Sequence, residues 1–386
     1  MSANGWSTLS FGEFLTGNKR PYTLGPTEDA NLVGMRWYGN GPFHREYKEA
    51  IKIRKKSHFV IRQGDVIYNK LFAWKGAFGI VPPALDGMFV SDKFPTYQID
   101  ESRMHPAFLR WYFRLPCLWD HAQELSTGSA AISKLTLNPP KFLELTIPAP
   151  PLKEQQRIAA RIDYLAGKIE EVRRTKQQVE QEAAALLHSR FFQIVEGAPR
   201  RTMDVVAPLV RRRVTIRPGE EYPELGIRSF GKGAFHKPAL DFLSVGSKKL
   251  YHIEPGDLVF NNVFAWEGAI AVAQAEDRGR FGSHRFITCV PKAGTVTADF
   301  LCFYFLTPEG LEQIGQASPG GAGRNRTLGL NKLAAIEVPV PDFEQQQEFV
   351  QLLRKVRTLQ FEQEATTNDL DAMLPSILDR AFRGGL

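Results

Sequence analysis

The sequence has almost no cysteine. Three in 386 residues, Cys117, Cys289 and Cys302, form no C-x-x-C pair. An odd, scattered set argues against a disulfide framework or a zinc site and fits reduced thiols in a cytosol. No apolar run approaches the ~20 residues that span a bilayer. The N-terminus has no basic segment followed by an apolar stretch, so no signal peptide is expected and the protein is placed in the cytoplasm. No P-loop pattern is present, and no nuclease-like carboxylate cluster stands out. Catalysis by this chain alone is therefore not expected.

What is present is ordinary in bulk. Hydrophobic residues make 43% and charged residues 24% of the chain, as in a globular protein. The net charge of +7 and a pI near 9.2 lean weakly towards a polyanionic partner. At roughly 100–200 residues per domain, the length predicts two or three units.

The chain is written twice. GDVIYNKLFAWKGAF (64–78) returns as GDLVFNNVFAWEGAI (256–270), identical at eight of fifteen positions and offset by 192 residues. GMRWYGNGPFH (34–44) returns as GIRSFGKGAFH (226–236) at the same offset. So do Ser91/Ser283, Phe94/Phe286, Phe108/Phe300, Tyr112/Tyr304, Pro116/Pro308 and Gly128/Gly320. Further on, LTLNPPKFLELTIPAPPLKEQQ (135–156) matches LGLNKLAAIEVPVPDFEQQQ (328–347) with small slips. A period this long is a domain duplication; solenoid repeats are shorter. Within a module, Val66–Tyr68 and Leu258–Phe260 read as strands after a Gly-Asp turn. Pro106–Leu115 and Thr297–Leu306 read as short buried helices. The expected class is α+β: two duplicated α/β modules, 1–150 and 198–341, alternating with helical segments 151–197 and 342–386.

Those segments carry heptads. In the first, Ile158, Leu165, Val172, Val179 and Leu186 form one series, and Ile162, Ile169, Lys176, Ala183 and Arg190 the other. In the second, the series are Phe349, Val356, Gln363, Leu370, Ile377 and Leu352, Leu359, Thr366, Met373, Arg380. This spacing predicts a coiled-coil seam. Equivalent modules related by a pseudo-two-fold would make the helices antiparallel, so that the polar positions near each middle meet. Pro375 is expected to bend the second helix. Forty residues make a rod of roughly 60 Å, longer than one domain needs as a cap.

IPAPPLKEQQRIAARID (147–163), its echo VPVPDFEQQQEFVQLL (338–353), the ending LPSILDRAFRGGL (374–386) and the Gly-Asp strand starts at 64 and 256 resemble the DNA-specificity subunits of type I restriction–modification systems. The resemblance covers nearly the whole chain. It implies two target-recognition domains, each reading half of a bipartite, asymmetric double-stranded DNA site. The helices then act as a spacer and as a dock for two methyltransferase subunits, with restriction/translocase subunits as further partners. The chemistry, with S-adenosylmethionine, ATP and Mg, belongs to those partners; this chain is expected to hold no cofactor. The other reading is the specificity portion of a single-chain type II-like restriction–methylation enzyme; Met1 and the tandem ending favour a separate subunit. NPPK (138–141) resembles the NPPY-type motif of amino-methyltransferases, but it lacks the aromatic and its repeat copy reads NKLA (331–334). Its prolines are expected to stiffen the exit from the module.

The repeat also sorts DNA-contact candidates. Shared residues cannot explain unlike half-sites, so they suit scaffold or phosphate contact. These are Arg36/Arg228, His44/His236, Asn69/Asn261 and Trp74/Trp266. A phosphate or carboxylate partner is expected for the arginines, core packing for the tryptophans, and a turn role is open for the asparagines. Differing residues suit base readout: Lys70 against Asn262, Lys75 against Glu267, Asn40 against Lys232, Asp92 against His284. Lys93 and Arg285 stay basic. In glycine-rich loops at 126–134 and 318–326, Lys134, Arg324 and Arg326 suit phosphate. The run Arg211–Arg213 is read as purely electrostatic.

Overall fold

The computed structural model describes residues 5–53, 57–128, 135–320 and 326–386. The chain divides into two compact units, Met1–Lys176 with Glu364–Leu386, and Gln177–Gln363. Both long helices, Leu152–Val195 and Phe343–Phe382, therefore contribute one half to each unit.

The first unit holds a four-stranded antiparallel sheet ordered Leu15–Gly17, Thr96–Ile99, Val66–Tyr68, Phe78–Ile80. A five-stranded sheet follows the order Pro21–Thr23, Ser57–Val60, Phe89–Val90, Ala30–Met35, Pro42–Lys48. In it only Leu32 opposite Phe89 pairs in parallel. Antiparallel pairing dominates, so the α+β reading holds. Ser7–Ser10 pairs with Thr146–Ala149 and brings the module's two ends together. The first helix begins at once after that pair, which fixes where it leaves the module.

The second unit repeats this plan. Its inner sheet runs Leu209–Val210, Phe286–Cys289, Leu258–Asn261, Ile270–Val272; its outer sheet runs Ala234–Leu240, Tyr222–Ile227, Phe281–Ser283, Leu250–His252. The fifth outer strand shrinks to one bridge, Arg213 to Tyr251, at the place of Pro21 and Phe59. The short helices sit as expected, at Pro106–Tyr112 and Ala298–Phe305.

Each module's core runs on into both long helices. In the first unit Phe108 packs 4.7 Å from Phe382, with Ile158, Ile162, Leu378 and Ala381 in the same cluster. In the second, Phe191 lies 5.2 Å from Phe300 and 5.5 Å from Phe349. The helices thus cap the modules at their ends as well as extending beyond what a cap needs. Within the first unit they pair antiparallel: Arg157 reaches the Leu386 carbonyl, Arg173 pairs with Asp371 at 2.6 Å, and Lys176 Nζ donates to the Thr367 hydroxyl. In the second, Arg190 pairs with Glu348 at 3.2 Å.

One heptad series in each helix is displaced from the expected seam. Val172, Val179 and Leu186 are 48%, 41% and 54% exposed, while Leu187, Phe191 and Ile194 are buried. On the second helix Leu359 and Met373 face solvent, and Leu353 and Ala381 are buried in their stead. A straight helix drifts ~20° per heptad against a strict seven-residue repeat, so the buried stripe moves over by one residue along the length. The second helix runs on through Pro375 without ending.

Candidate nucleic-acid interface

The Gly-Asp motif is a buried anchor. Asp65 accepts the Arg62 N–H at 2.8 Å and takes Arg20 in a two-pronged pair at 2.5 and 3.0 Å. Asp257 repeats this with Glu254 N–H at 2.8 Å and Arg212 at 2.6 and 3.1 Å. These donors replace the water that a carboxylate gives up on burial. The run 211–213 is therefore not purely electrostatic. Arg212 holds Asp257, while Arg211 lies 4.8 Å over Tyr251 and donates to the Phe286 carbonyl.

From that anchor each module builds a tip out of three segments. The first is a turn closed on itself. Asn69 Oδ1 accepts the Leu71 N–H at 2.9 Å, and Trp74 Nε1 donates to the Leu71 carbonyl at 3.1 Å. Asn261 and Trp266 do the same around Val263, at 3.1 and 3.0 Å. The shared asparagines thus serve the turn, and the tryptophans are half-buried turn braces, less deep than core residues. The second segment is the hairpin loop 36–41. Tyr38 and Gly39 N–H groups donate to the Lys75 and Gly76 carbonyls, both at 2.8 Å. Phe230 and Gly231 reach Glu267 and Gly268 at 2.7 and 3.0 Å. The third carries Lys93 or Arg285, whose carbonyl accepts from Lys70 N–H at 3.0 Å or Asn262 N–H at 2.8 Å.

Most of the sequence candidates therefore gather. Arg36, Asn40, Asn69, Lys70, Lys75 and Lys93 meet at the first tip. Arg228, Lys232, Asn261, Asn262, Arg285 and Arg326 meet at the second. Lys134 and Arg324 lie outside the described residues. Several have internal work. Lys75 Nζ sits 3.8 Å from the Trp37 ring and 4.9 Å from Trp74; Arg326 covers Trp266 at 5.2 Å. Asn40 donates to the Trp37 carbonyl and accepts from Arg114, both at 3.0 Å. Arg36 and Arg228 do not pair with a carboxylate among the described residues; they lie over Phe43 and Phe235 at 4.8 and 4.6 Å. Both stay exposed, open to phosphate. His44 and His236 sit further down the hairpin strand, against Asn31 at 3.1 Å and buried Asp277 at 2.9 Å. Lys70 is half-buried, Lys93, Lys232 and Arg285 are exposed, and Asn262 Oδ1 is buried without a hydrogen-bond partner.

Two features escaped the sequence reading. Tyr38 and Phe230 hold φ of 61° and 62°, in the left-handed region, while remaining 52% and 75% exposed. Such a bulky residue there costs about 1–3 kcal/mol. The signal was an aromatic directly before glycine in both copies of a recognised repeat. The second is Gln155, whose Oε1 accepts the His105 N–H at 2.8 Å while Nε2 donates to the Arg103 and Pro150 carbonyls at 3.2 and 2.9 Å. Gln346 does the same with Thr297, Thr295 and Pro341 at 3.2, 3.0 and 2.8 Å. These glutamines weld each long helix to its module, which accounts for one glutamine in each copy of the glutamine run.

Residues 4–181 match the model of the Type I restriction modification DNA specificity domain. Those residues, the first module and most of the first long helix, are similar to that domain. No curated protein matches the chain. It is similar to the HsdS subunit from Thermoanaerobacter tengcongensis, at 20% identity and a TM-score of 0.59, over 100% of this chain and 98% of that one. It is also similar to a chain solved in work on complex assembly and conformational transition of the type I R-M system, at 20% identity and a TM-score of 0.66, over 100% of both. At that identity the likeness is one of fold.

Among the described residues no group of three or more His, Cys, Asp or Glu is placed to hold a metal ion. Burial pushes the Cys289 and Cys302 thiols up to about 12, so neither is a nucleophile near neutral pH. The NPPK stretch starts a short helix, Pro139–Leu143, which stacks Phe142 on Tyr68 at 4.0 Å. No helix among the described residues is long and apolar enough to cross a membrane.

Proposed function

We propose that the chain is the specificity subunit of a type I restriction–modification complex in the cytoplasm, reading a bipartite, asymmetric double-stranded DNA site with one half-site per module. The long helices are its spacer and the dock for two methyltransferase subunits, with restriction subunits joining them. S-adenosylmethionine, ATP and Mg sit on those partners, and this chain holds none. One observation carries the reading: the backbone bonds and the Asn and Trp turn bonds of the tip built inside the family-matched residues are rebuilt in the second unit. Cations and exposed rings on a rigid loop suit phosphate and base contact together. Because the flanking residues differ between tips, the half-sites need not match.

The test is to map methylated adenines in DNA from a host carrying this chain and its methyltransferase. One split motif is expected, and exchanging residues 1–150 for another such module should change one half only. A heptad removed from each helix shortens the spacer by about 10 Å, about three base pairs. A single uninterrupted motif, or methylation that ignores the chain, would sink the proposal.

A further inference from the structure

Turn chemistry asks for glycine or asparagine where this chain places large rings. In the loop 36–41 two successive residues take positive φ, Tyr38 at 61° and Gly39 at 65°; Phe230 and Gly231 repeat this at 62° and 65°. Such pairs favour Asn-Gly. At Gly39 the glycine is forced, since a Cβ would lie 2.4 Å from the Phe113 carbonyl oxygen; at Gly231 a Cβ would press on the end of the Leu306 side chain at 2.9 Å. The ring before it is not forced. Phe230 is 75% exposed and makes no ring contact among the described residues; Tyr38 is 52% exposed, with ring contacts to Trp37 and to the half-buried Trp119. Packing therefore does not explain a strained aromatic kept in both copies.

We propose that Tyr38 and Phe230 are the apolar contact points of the two modules with the bases of duplex DNA, one ring in each half-site. The inference rests on the reading of the chain as a DNA specificity subunit and says where and how that reading is executed. Three observations select DNA as the occupant. A second exposed ring lies on the adjoining turn in each module, Phe72 and Phe264, both 37% exposed. Cations share the three tip segments with the rings: Arg36, Lys70, Lys75 and Lys93 in the first module, beside Asp92, and Arg228, Lys232 and Arg285 in the second, beside Glu267, with Arg326 over Trp266. The backbone on either side is locked to the neighbouring turn by two hydrogen bonds, so the ring is presented rigidly. A polyanion with apolar faces in its grooves matches that surface, through thymine methyls or an opened base step. Because both modules share the device, it sets contact and register, while differing residues that have no internal counterpart, such as Lys70, set sequence.

The test uses the full chain with its methyltransferase subunits and the cognate duplex. Tyr38→Gly and Phe230→Gly each relieve the left-handed backbone, so the melting temperature should stay level or rise. A structural role predicts the opposite. Each variant should weaken cognate binding about tenfold, in the range of ring–base contacts measured by truncation. The slope of log Kd against log salt should not change, whereas Lys93→Ala should lower it by about one. Tyr38→Asn, which tolerates the same backbone, should match Tyr38→Gly. Unchanged affinity in the glycine variants beside normal wild-type binding overturns this contact alone. A wild-type complex that binds no duplex overturns the underlying reading and this contact with it. Loss of methyltransferase co-elution, with normal DNA affinity in whatever complex remains, would make the tip a protein dock and overturn it too.

Discussion

The two units make the same joint with opposite charges. Where the first long helix leaves its module, Asp163 accepts from Arg110 at 2.5 Å and from Trp111 Nε1 at 3.0 Å. Where the second leaves, the basic residues are on the long helix: Arg354 and Arg357 hold Asp299 at 3.0 and 3.2 Å. The tips show a second exchange. Lys75 on the Trp37 ring becomes Glu267 accepting from Ser229 Oγ at 3.1 Å. By contrast Arg20–Asp65 and Arg212–Asp257 are kept in kind and place. Geometry that closes a turn or buries a charge is held; a polar contact between two side chains is free to change as long as both partners change together. A difference between the modules is thus not in itself a sign of base readout. It must first be asked whether the difference has an internal counterpart.

The comparison breaks first at its identical parts. Gln155→Ala and Gln346→Ala each strand one buried N–H and two carbonyls. Each should cost about 3 kcal/mol, at 1–3 per unsatisfied group with some recovery by water. The two losses should be equal, and urea unfolding followed unit by unit measures them. A cost in one unit only would mean that the repeated glutamines do different jobs. Next come the reversed charges. Asp163→Arg sets two arginines together and orphans the Trp111 N–H, at about 1–2 kcal/mol. Adding Arg110→Asp should recover most of the ion pair but not the indole bond. If the double variant is no more stable than the single one, the reversal is incidental.

Periodicity and repeat made the architecture legible. The Gly-Asp strands, the short helices and the two long helices are where the pattern puts them, because each is fixed by local turn chemistry or by a long amphipathic stripe. The seam was read one residue off in Val172, Val179 and Leu186, since an exact seven-residue count ignores the drift of a straight helix. Among candidate contacts, the repeat picked out segments that the fold brings together, but not the internal bonds that several of their residues make. Asn69, left open between a phosphate contact and a turn, closes a turn; Arg212 looked like a loose cation and holds a buried carboxylate. Tyr38 and Phe230 were overlooked because a backbone angle is invisible in a letter string. Arg212 and Tyr38 turn on partners some forty residues away, Asp257 and Lys75, whereas the Asn69 turn is local.

The smallest effect tests the rule most sharply. Lys75 and Glu267 differ, and by difference alone Lys75 would be a base reader. Its ammonium, however, lies between two indole faces, at 3.8 and 4.9 Å, and its counterpart carboxylate is held by a serine where the first module has Trp37. Lys75→Glu alone should therefore cost about 0.5–1 kcal/mol through the lost cation–π contact. Lys75→Glu with Trp37→Ser transplants the second module's pair and should bring much of that back. Neither variant should change the methylated motif. Lys70→Asn has no such internal counterpart among the described residues, and it should relax the first half-site while leaving stability within about 0.5 kcal/mol. Methylome mapping of the three variants separates the cases. A motif that shifts with Lys75 and not with Lys70 would mean that the internal partner is no guide, and that the ammonium leaves the indoles for a base when DNA is bound.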